Sequence, residues 1–208
     1  MSCANSGFIG YPMLLIALPA LADRTLALNM IAENLVVLPL ILVLAERSGG
    51  IGRTARRVAT SPIVLALAAG LAVALSGLPV PAVLGQAVEL VARSSAAVSL
   101  VVIGGALVGV ARAAAGGRAA AVVAGKLLLH PLAVAAAFAL LRVAGVPVDP
   151  AMAAAGVLLA ATPAMGIYPI LAAQYGQGGP AALAMLAMTV GSFFTLGGLL
   201  WWLGLAAG

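Results

Sequence analysis

Apolar runs near residues 26–44, 62–78, 98–110, 119–141, 151–173 and 181–203 follow one another along the chain, and most of its charge lies between them. Most of these runs reach the ~20 residues that a helix needs to cross the hydrocarbon core of a bilayer. In that medium backbone N–H and C=O groups must be satisfied within the segment, which selects helices. Composition agrees: 64% of the 208 residues are hydrophobic, 7% are charged, and the mean hydropathy is +1.23, whereas about a quarter of the residues of soluble domains are charged. With the opening stretch, NSGFIGYPML at residues 5–14, the count is seven. The expectation is an all-α, polytopic membrane protein of about seven transmembrane helices.

Charge placement sets the orientation. The segment ERSGGIGRTARRVATSP holds Arg47, Arg53, Arg56 and Arg57 against Glu46 alone, and a basic loop of this kind stays in the cytoplasm. Alternation then puts the Arg112 to Arg118 loop and GQGGP inside, and the Gly77 to Pro81 turn and the Arg142 to Asp149 loop outside. The N-terminus is expected in the cytoplasm and the C-terminus outside the plasma membrane, with Trp201 and Trp202 at the outer interface. Ala20-Leu21-Ala22 before Asp23 mimics a signal-peptide cleavage site, but no basic residue precedes it, so the stretch is read as a membrane segment. The excess of ten Lys+Arg over five Asp+Glu orients the chain and implies no nucleic acid. Cys3 is the single cysteine, so there is no internal disulfide and no zinc or redox cysteine motif.

The opening stretch is an odd membrane segment, because Asn5, Ser6, Gly7, Gly10 and Pro12 interrupt it. It has an echo. SGFIGYPML at residues 6–14 matches PAMGIYPIL at residues 163–171, which sets Tyr11-Pro12 on Tyr168-Pro169 and Asn5 on Thr162. Five crossings separate the copies, so they run through the membrane in opposite directions, as in an inverted repeat. In such folds paired Gly/Pro-interrupted segments are broken helices, and their freed backbone groups and half-helix ends meet substrate or ions near the midplane. The bland reading is that Pro12, Pro163 and Pro169 only kink packed helices. Two matched copies beside a small polar residue favour a site made of Asn5, Ser6, Gly7, Gly10, Pro12, Thr162, Pro163, Gly166, Tyr168 and Pro169. The repeat divides the chain into residues 1–46, the end of a first half; 47–60, the basic loop; and 61–208, a second half of five helices. About three helices of the first half are then missing, which fits a truncated chain or a mis-assigned start.

The chain resembles the auxin efflux carrier family of membrane transporters, which includes bacterial members called malate permeases. The residues that carry the resemblance are NSGFIGYP, the basic loop, GKLLLHP at residues 125–131 and TPAMGIYPILAAQYG at residues 162–176. It implies a ten-helix fold of two inverted five-helix halves, with the fourth and ninth helices broken and crossing at the substrate site. The first segment here would be the fourth of those helices and the sixth the ninth, with Asn5 and Thr162 at the crossing. Losing three helices would remove part of the scaffold and one helix of the moving domain.

Other polar residues are weighed against duller roles. Glu33, beside Asn34 and one turn after Asn29, is an intramembrane carboxylate and so a candidate for a coupling proton or cation; a hydrated or protonated place near the outer third is the alternative. Lys126 and His130 stand at i,i+4 on one helix face. Lys126 is roughly 10 Å into its helix, close enough to snorkel to the cytoplasmic surface, and that is its expected role. His130 is the sole histidine, which removes any His-based metal cluster; it could shuttle a proton, but a helix–helix hydrogen bond is preferred. Glu89 and Arg93 read as an interfacial ion pair, and Gln174 and Tyr175 as interfacial.

The function expected is secondary transport of a small organic anion such as a carboxylate, with the lipid bilayer, a coupling proton or sodium and a second copy in a homodimer as partners, and with no cofactor or metal. Two other classes stay open: a non-transporting membrane subunit or fragment, and an intramembrane enzyme. The enzyme reading lacks a convergent catalytic set. Malate, other dicarboxylates and aromatic acids all remain open as substrates.

Overall fold

The computed structural model describes residues 3–37, 40, 41, 52, 56, 59, 60, 62–107, 117–173 and 175–205. Most of the basic loop, including Arg47, Arg53 and Arg57, lies outside the described residues, as do Arg112 and Gln174 and the side chains of Arg93 and Arg118.

Every regular element among the described residues is helical. A π-helical turn, Ser6–Gly10, runs directly into α1, Tyr11–Ala17. Then come α2, Pro19–Ala32, and a second π-helical turn, Glu33–Val37. Helices α3, Pro62–Ser76, and α4, Ala82–Leu107, follow. Helix α5, Gly117–Ala124, is joined to α6, His130–Val143, through a third π-helical turn, Gly125–Leu129. The last are α7, Pro150–Ala160, α8, Ile167–Ala173, and α9, Gly178–Trp202. Two helical stretches, Ala119–Val143 and Gly178–Trp202, are long and apolar enough to cross a membrane.

Local chemistry explains the ends. Helix α6 stops where Gly145 takes φ +80° and Val146 N–H bonds back to the Leu141 carbonyl, a left-handed cap that glycine adopts without strain. Four residues later Asp149 caps α7: its carboxylate accepts from Ala151 N–H at 2.9 Å, and Pro150 opens the helix, where a missing N–H costs nothing.

Two boundaries differ from the apolar runs. Helix α2 begins at Pro19 rather than near residue 26, and takes in Asp23 and Arg24. The reason is that hydropathy marks burial in lipid, whereas the helix extends as long as backbone propensity allows. Asp23 is also held by the Tyr11 hydroxyl, which donates to it at 2.7 Å. For the same reason α4 begins at Ala82, well ahead of the apolar run that opens near residue 98. The opening segment is a helix of residues Ser6–Ala17, shorter than a full crossing, because Leu18 leaves helical geometry at φ −145° just before Pro19, as the residue before a proline tends to.

The chain forms two compact units. One comprises residues 1–27 and 96–208 and the other residues 28–95. In the first unit one core cluster joins Leu14, Ala22, Ala155, Leu158 and Leu159. A second joins Leu127, Ala164, Ala184, Met185 and Met188, with Tyr168 against it. Small residues let these helices close up: a Cβ at Gly156 would lie 2.9 Å from Phe138 Cε2, and one at Gly191 2.9 Å from Leu127 Cδ1. This is the packing expected where lipid gives no hydrophobic drive and backbones must approach closely. In the second unit α3 packs on the Glu33–Val37 turn.

Candidate functional site

The stretch that leads into the first motif copy meets the start of the second. Residues 3–5, ahead of the first π-helical turn, lie antiparallel to residues 163–165, in the gap between α7 and α8, and Ala4 pairs with Ala164. Asn5 N–H donates to the Pro163 carbonyl at 2.7 Å, and Met165 N–H donates to the Cys3 carbonyl at 3.1 Å. This is a two-bond fragment of a ladder between two stretches of unwound backbone, all of it buried except the half-buried Met165.

Pro163 is the cause of the second break. It lacks the N–H that would bond the Leu159 carbonyl, and Thr162 takes over that acceptor with its Oγ1 at 2.7 Å and its N–H at 3.1 Å. The Pro163 carbonyl goes to Asn5. On the other strand the Asn5 carbonyl accepts from Ile9 N–H at 3.1 Å and Gly10 N–H at 3.0 Å, so the helix restarts as a π-turn. Buried backbone groups must be paired, and here each break is paired by the other.

The Ala160 carbonyl, at the last residue of α7, is satisfied by a side chain. Lys126 Nζ donates to it at 2.7 Å, and His130 Nδ1 lies 3.0 Å from both that carbonyl and Lys126 Nζ. The imidazole nitrogen either accepts from the ammonium or donates to the carbonyl, since a single Nδ1 does one or the other. Either way His130 is in a contact between helices. Lys126 does not snorkel to the surface: it is 2% exposed. The carbonyl end of α7 carries partial negative charge, and that attraction, with the hydrogen bond, outweighs the pull of the interface on a side chain that could have reached it. Lys126 and His130 also line one wall of a cavity of about 510 Å³, with Val122, Gly125 and Leu129.

The residues singled out in the sequence are distributed as follows. Asn5, Ser6, Gly10, Thr162, Pro163 and Pro169 are buried; Gly166 and Tyr168 are half-buried; Gly7 and Pro12 are exposed. Asn5, Thr162 and Pro163 come together directly, and Gly10 packs against Leu159 and Thr162. The Asn5 side chain makes no capping bond to the helix it precedes. Ser6 Oγ is 3.4 Å from the Ala4 carbonyl. Tyr168 packs against the cluster that holds Ala164 of the ladder together with Met185 and Met188, and its N–H donates to the Met165 carbonyl at 2.9 Å. Glu33 belongs to the other compact unit, where it and Asn34 are buried in the second π-turn and Asn34 Nδ2 donates to the Met30 carbonyl at 2.8 Å. Asn29 Nδ2, one turn earlier, is buried without a hydrogen-bond partner among the described residues. The same residues hold no group of three His, Cys, Asp or Glu that could bind a metal.

Sequence reasoning missed two things. One is the ammonium of Lys126 on α7; the signal was present as a lysine inside an apolar run with a histidine at i+4. The other is that the π-turns coincide with buried polar groups: Ser6, Glu33 with Asn34, and Lys126 each lie in one. Single π-turns inside helices concentrate at functional sites, but nothing in residue order marks them. No family model matches the chain, and no curated protein or solved structure matches it.

Proposed function

We propose that the protein is a secondary transporter that moves a small organic anion, such as a carboxylate, across the plasma membrane. In this reading it is a malate-permease-like carrier of the auxin efflux type, with seven crossings, an inverted repeat split at the basic loop, the N-terminus in the cytoplasm and the C-terminus outside. The observation that carries it is the antiparallel pairing of residues 3–5, which lead into the first motif copy, with residues 163–165, which open the second. Each is followed by a seven-residue helix, Tyr11–Ala17 and Ile167–Ala173, and both helices carry the Tyr-Pro pair near their start.

Two features favour an anion. The helical stretch Ser6–Ala17 starts at the ladder, and a helix N-terminus presents N–H groups and partial positive charge. The Asn5 side chain, 9% exposed and not used as a cap, adds an amide at the same place. Glu33, Lys126 and His130 are the groups for coupling to a proton or sodium, and a homodimer is the assembly expected.

The test is uptake of radiolabelled malate by proteoliposomes holding the purified protein. Asn5→Ala and Thr162→Ala should each lower the initial rate at least fivefold while the helix content and elution profile in detergent stay as in the wild type. Unchanged rates in both folded variants would remove the site assignment, and a wild type that moves no carboxylate would remove the function.

A further inference from the structure

His130 is the sole histidine of the chain, and its two ring nitrogens stand in different surroundings. Nδ1 lies 3.0 Å from Lys126 Nζ and 3.0 Å from the Ala160 carbonyl, which already accepts from that ammonium at 2.7 Å. Nε2 makes no hydrogen bond among the described residues, and the half-buried ring lines the cavity of about 510 Å³. We propose that this cavity is a carboxylate-binding site, in which Nε2–H of His130 donates to an oxygen of the ligand. The proposal rests on the carrier reading above for the kind of ligand, a small organic anion, and adds a second station for it beside the end of α7.

The tautomer follows from the neighbours. An ammonium can only donate, so an Nδ1–H at 3.0 Å from Lys126 Nζ would set donor against donor, whereas an Nδ1 lone pair accepts from it. That holds whatever other contact the ammonium makes. The neutral ring therefore carries its proton on Nε2, because the bond made by one ring nitrogen fixes the state of the other. A bond received at Nδ1 from a charged donor also polarises the ring, which strengthens Nε2–H as a donor in turn. Around it the wall is made by Ala121, Val122, Gly125, Leu129 and Ala133, with Lys126 beside them. Small-molecule sites have this volume and this character, mostly apolar with a few placed polar groups. A donor selects an acceptor, and a carboxylate oxygen makes the strongest such bond because it is charged; the carbon body of the ligand then rests on the apolar wall.

Because there is a single histidine, heavy-nitrogen labelling of that residue type reports on His130 alone. Its two ring nitrogens are followed by solid-state NMR of the wild type in liposomes at neutral pH, before and after malate or butyrate is added to saturation. The expected result is a neutral ring in the Nε2–H form whose Nε2 resonance shifts when either acid is added. A ring in the Nδ1–H form, or an Nε2 resonance that neither acid moves, overturns the proposal. Uptake kinetics in proteoliposomes then separate a ligand contact from a structural one. The amide of His130→Asn stands near the Nδ1 position and keeps a partner for Lys126 and Ala160 but leaves nothing at Nε2, whereas His130→Gln reaches the Nε2 position and gives up Nδ1. KM for the carried acid should rise about tenfold or more in His130→Asn, the worth of one hydrogen bond to a charged group, and stay within about threefold of the wild type in His130→Gln. A folded His130→Asn with the wild-type KM, or the reverse order of the two variants, marks a structural role and overturns the proposal. Where neither variant folds, the resonances of the wild type decide. An Nε2 that ignores both acids in a protein that carries them overturns this inference and leaves the carrier in place, whereas an Nε2 that responds in a protein that carries neither removes the carrier and keeps the site.

Discussion

Ala4 and Ala164 face each other across a non-hydrogen-bonded position of the antiparallel pair, with the Asn5 to Pro163 bond on one side and the Met165 to Cys3 bond on the other. Opposed residues at such a position have Cα atoms about 4.5 Å apart, inside the window that a disulfide needs. In a Cys3→Ser background, Ala4→Cys with Ala164→Cys should therefore form an intramolecular bond under mild oxidation. Thiol counting before and after reduction measures it. Two thiols that remain fully reactive in the folded protein would mean that the segments do not meet.

Gly10 is the narrowest point of the contact. A Cβ there would run into Leu159 Cδ2 and sit 3.4 Å from Thr162 Cγ2, whereas a Cβ at Gly7 would meet nothing within 4 Å. Leu159 is fully buried and has little room to yield. Gly10→Ala should cost about 1–3 kcal/mol, the usual range for overpacking, and Gly7→Ala well under 1 kcal/mol on the same grounds. Thermal unfolding in detergent reads the difference. Gly10→Ala combined with Leu159→Val should recover part of the loss, since the two sites share one space.

Thr162 stands in for the donor that Pro163 cannot supply, through its hydroxyl on the Leu159 carbonyl at 2.7 Å. Thr162→Val keeps the shape and removes the bond. The carbonyl retains the weaker Thr162 N–H contact at 3.1 Å, so the loss should be about 1 kcal/mol, near the net value of one hydrogen bond, and Thr162→Ser should restore most of it. Equal stability of Thr162→Val and the wild type would show that the backbone contact suffices.

How much of this was legible in residue order depends on the interaction. The motif copies around Tyr11-Pro12 and Tyr168-Pro169 named Asn5, Thr162 and Pro163, because proline and glycine act on their own backbone and leave a local mark. Lys126 was misplaced, because a lysine one or two turns from an interface has two partners within reach, water and the Ala160 carbonyl. Only the approach of α7 to the Gly125–Leu129 turn decides between them. The start of α2 at Pro19 was hidden for a related reason: hydropathy windows stop at Asp23 and Arg24, which a helix readily includes.

The last contact joins α9 to the third π-turn. Gly191 on α9 lies so close to the third π-turn that a Cβ would be 2.9 Å from Leu127 Cδ1, and Leu127 is the neighbour of Lys126 and is itself buried. A branched side chain at residue 191 must displace the Leu127 side chain. Gly191→Val should lose about 1–3 kcal/mol of stability. Leu127→Ala in the same chain should offset part of that, giving a double variant less impaired than the sum of the two single ones. A double variant as impaired as the sum of the two single ones would show that residues 191 and 127 do not compete for that space.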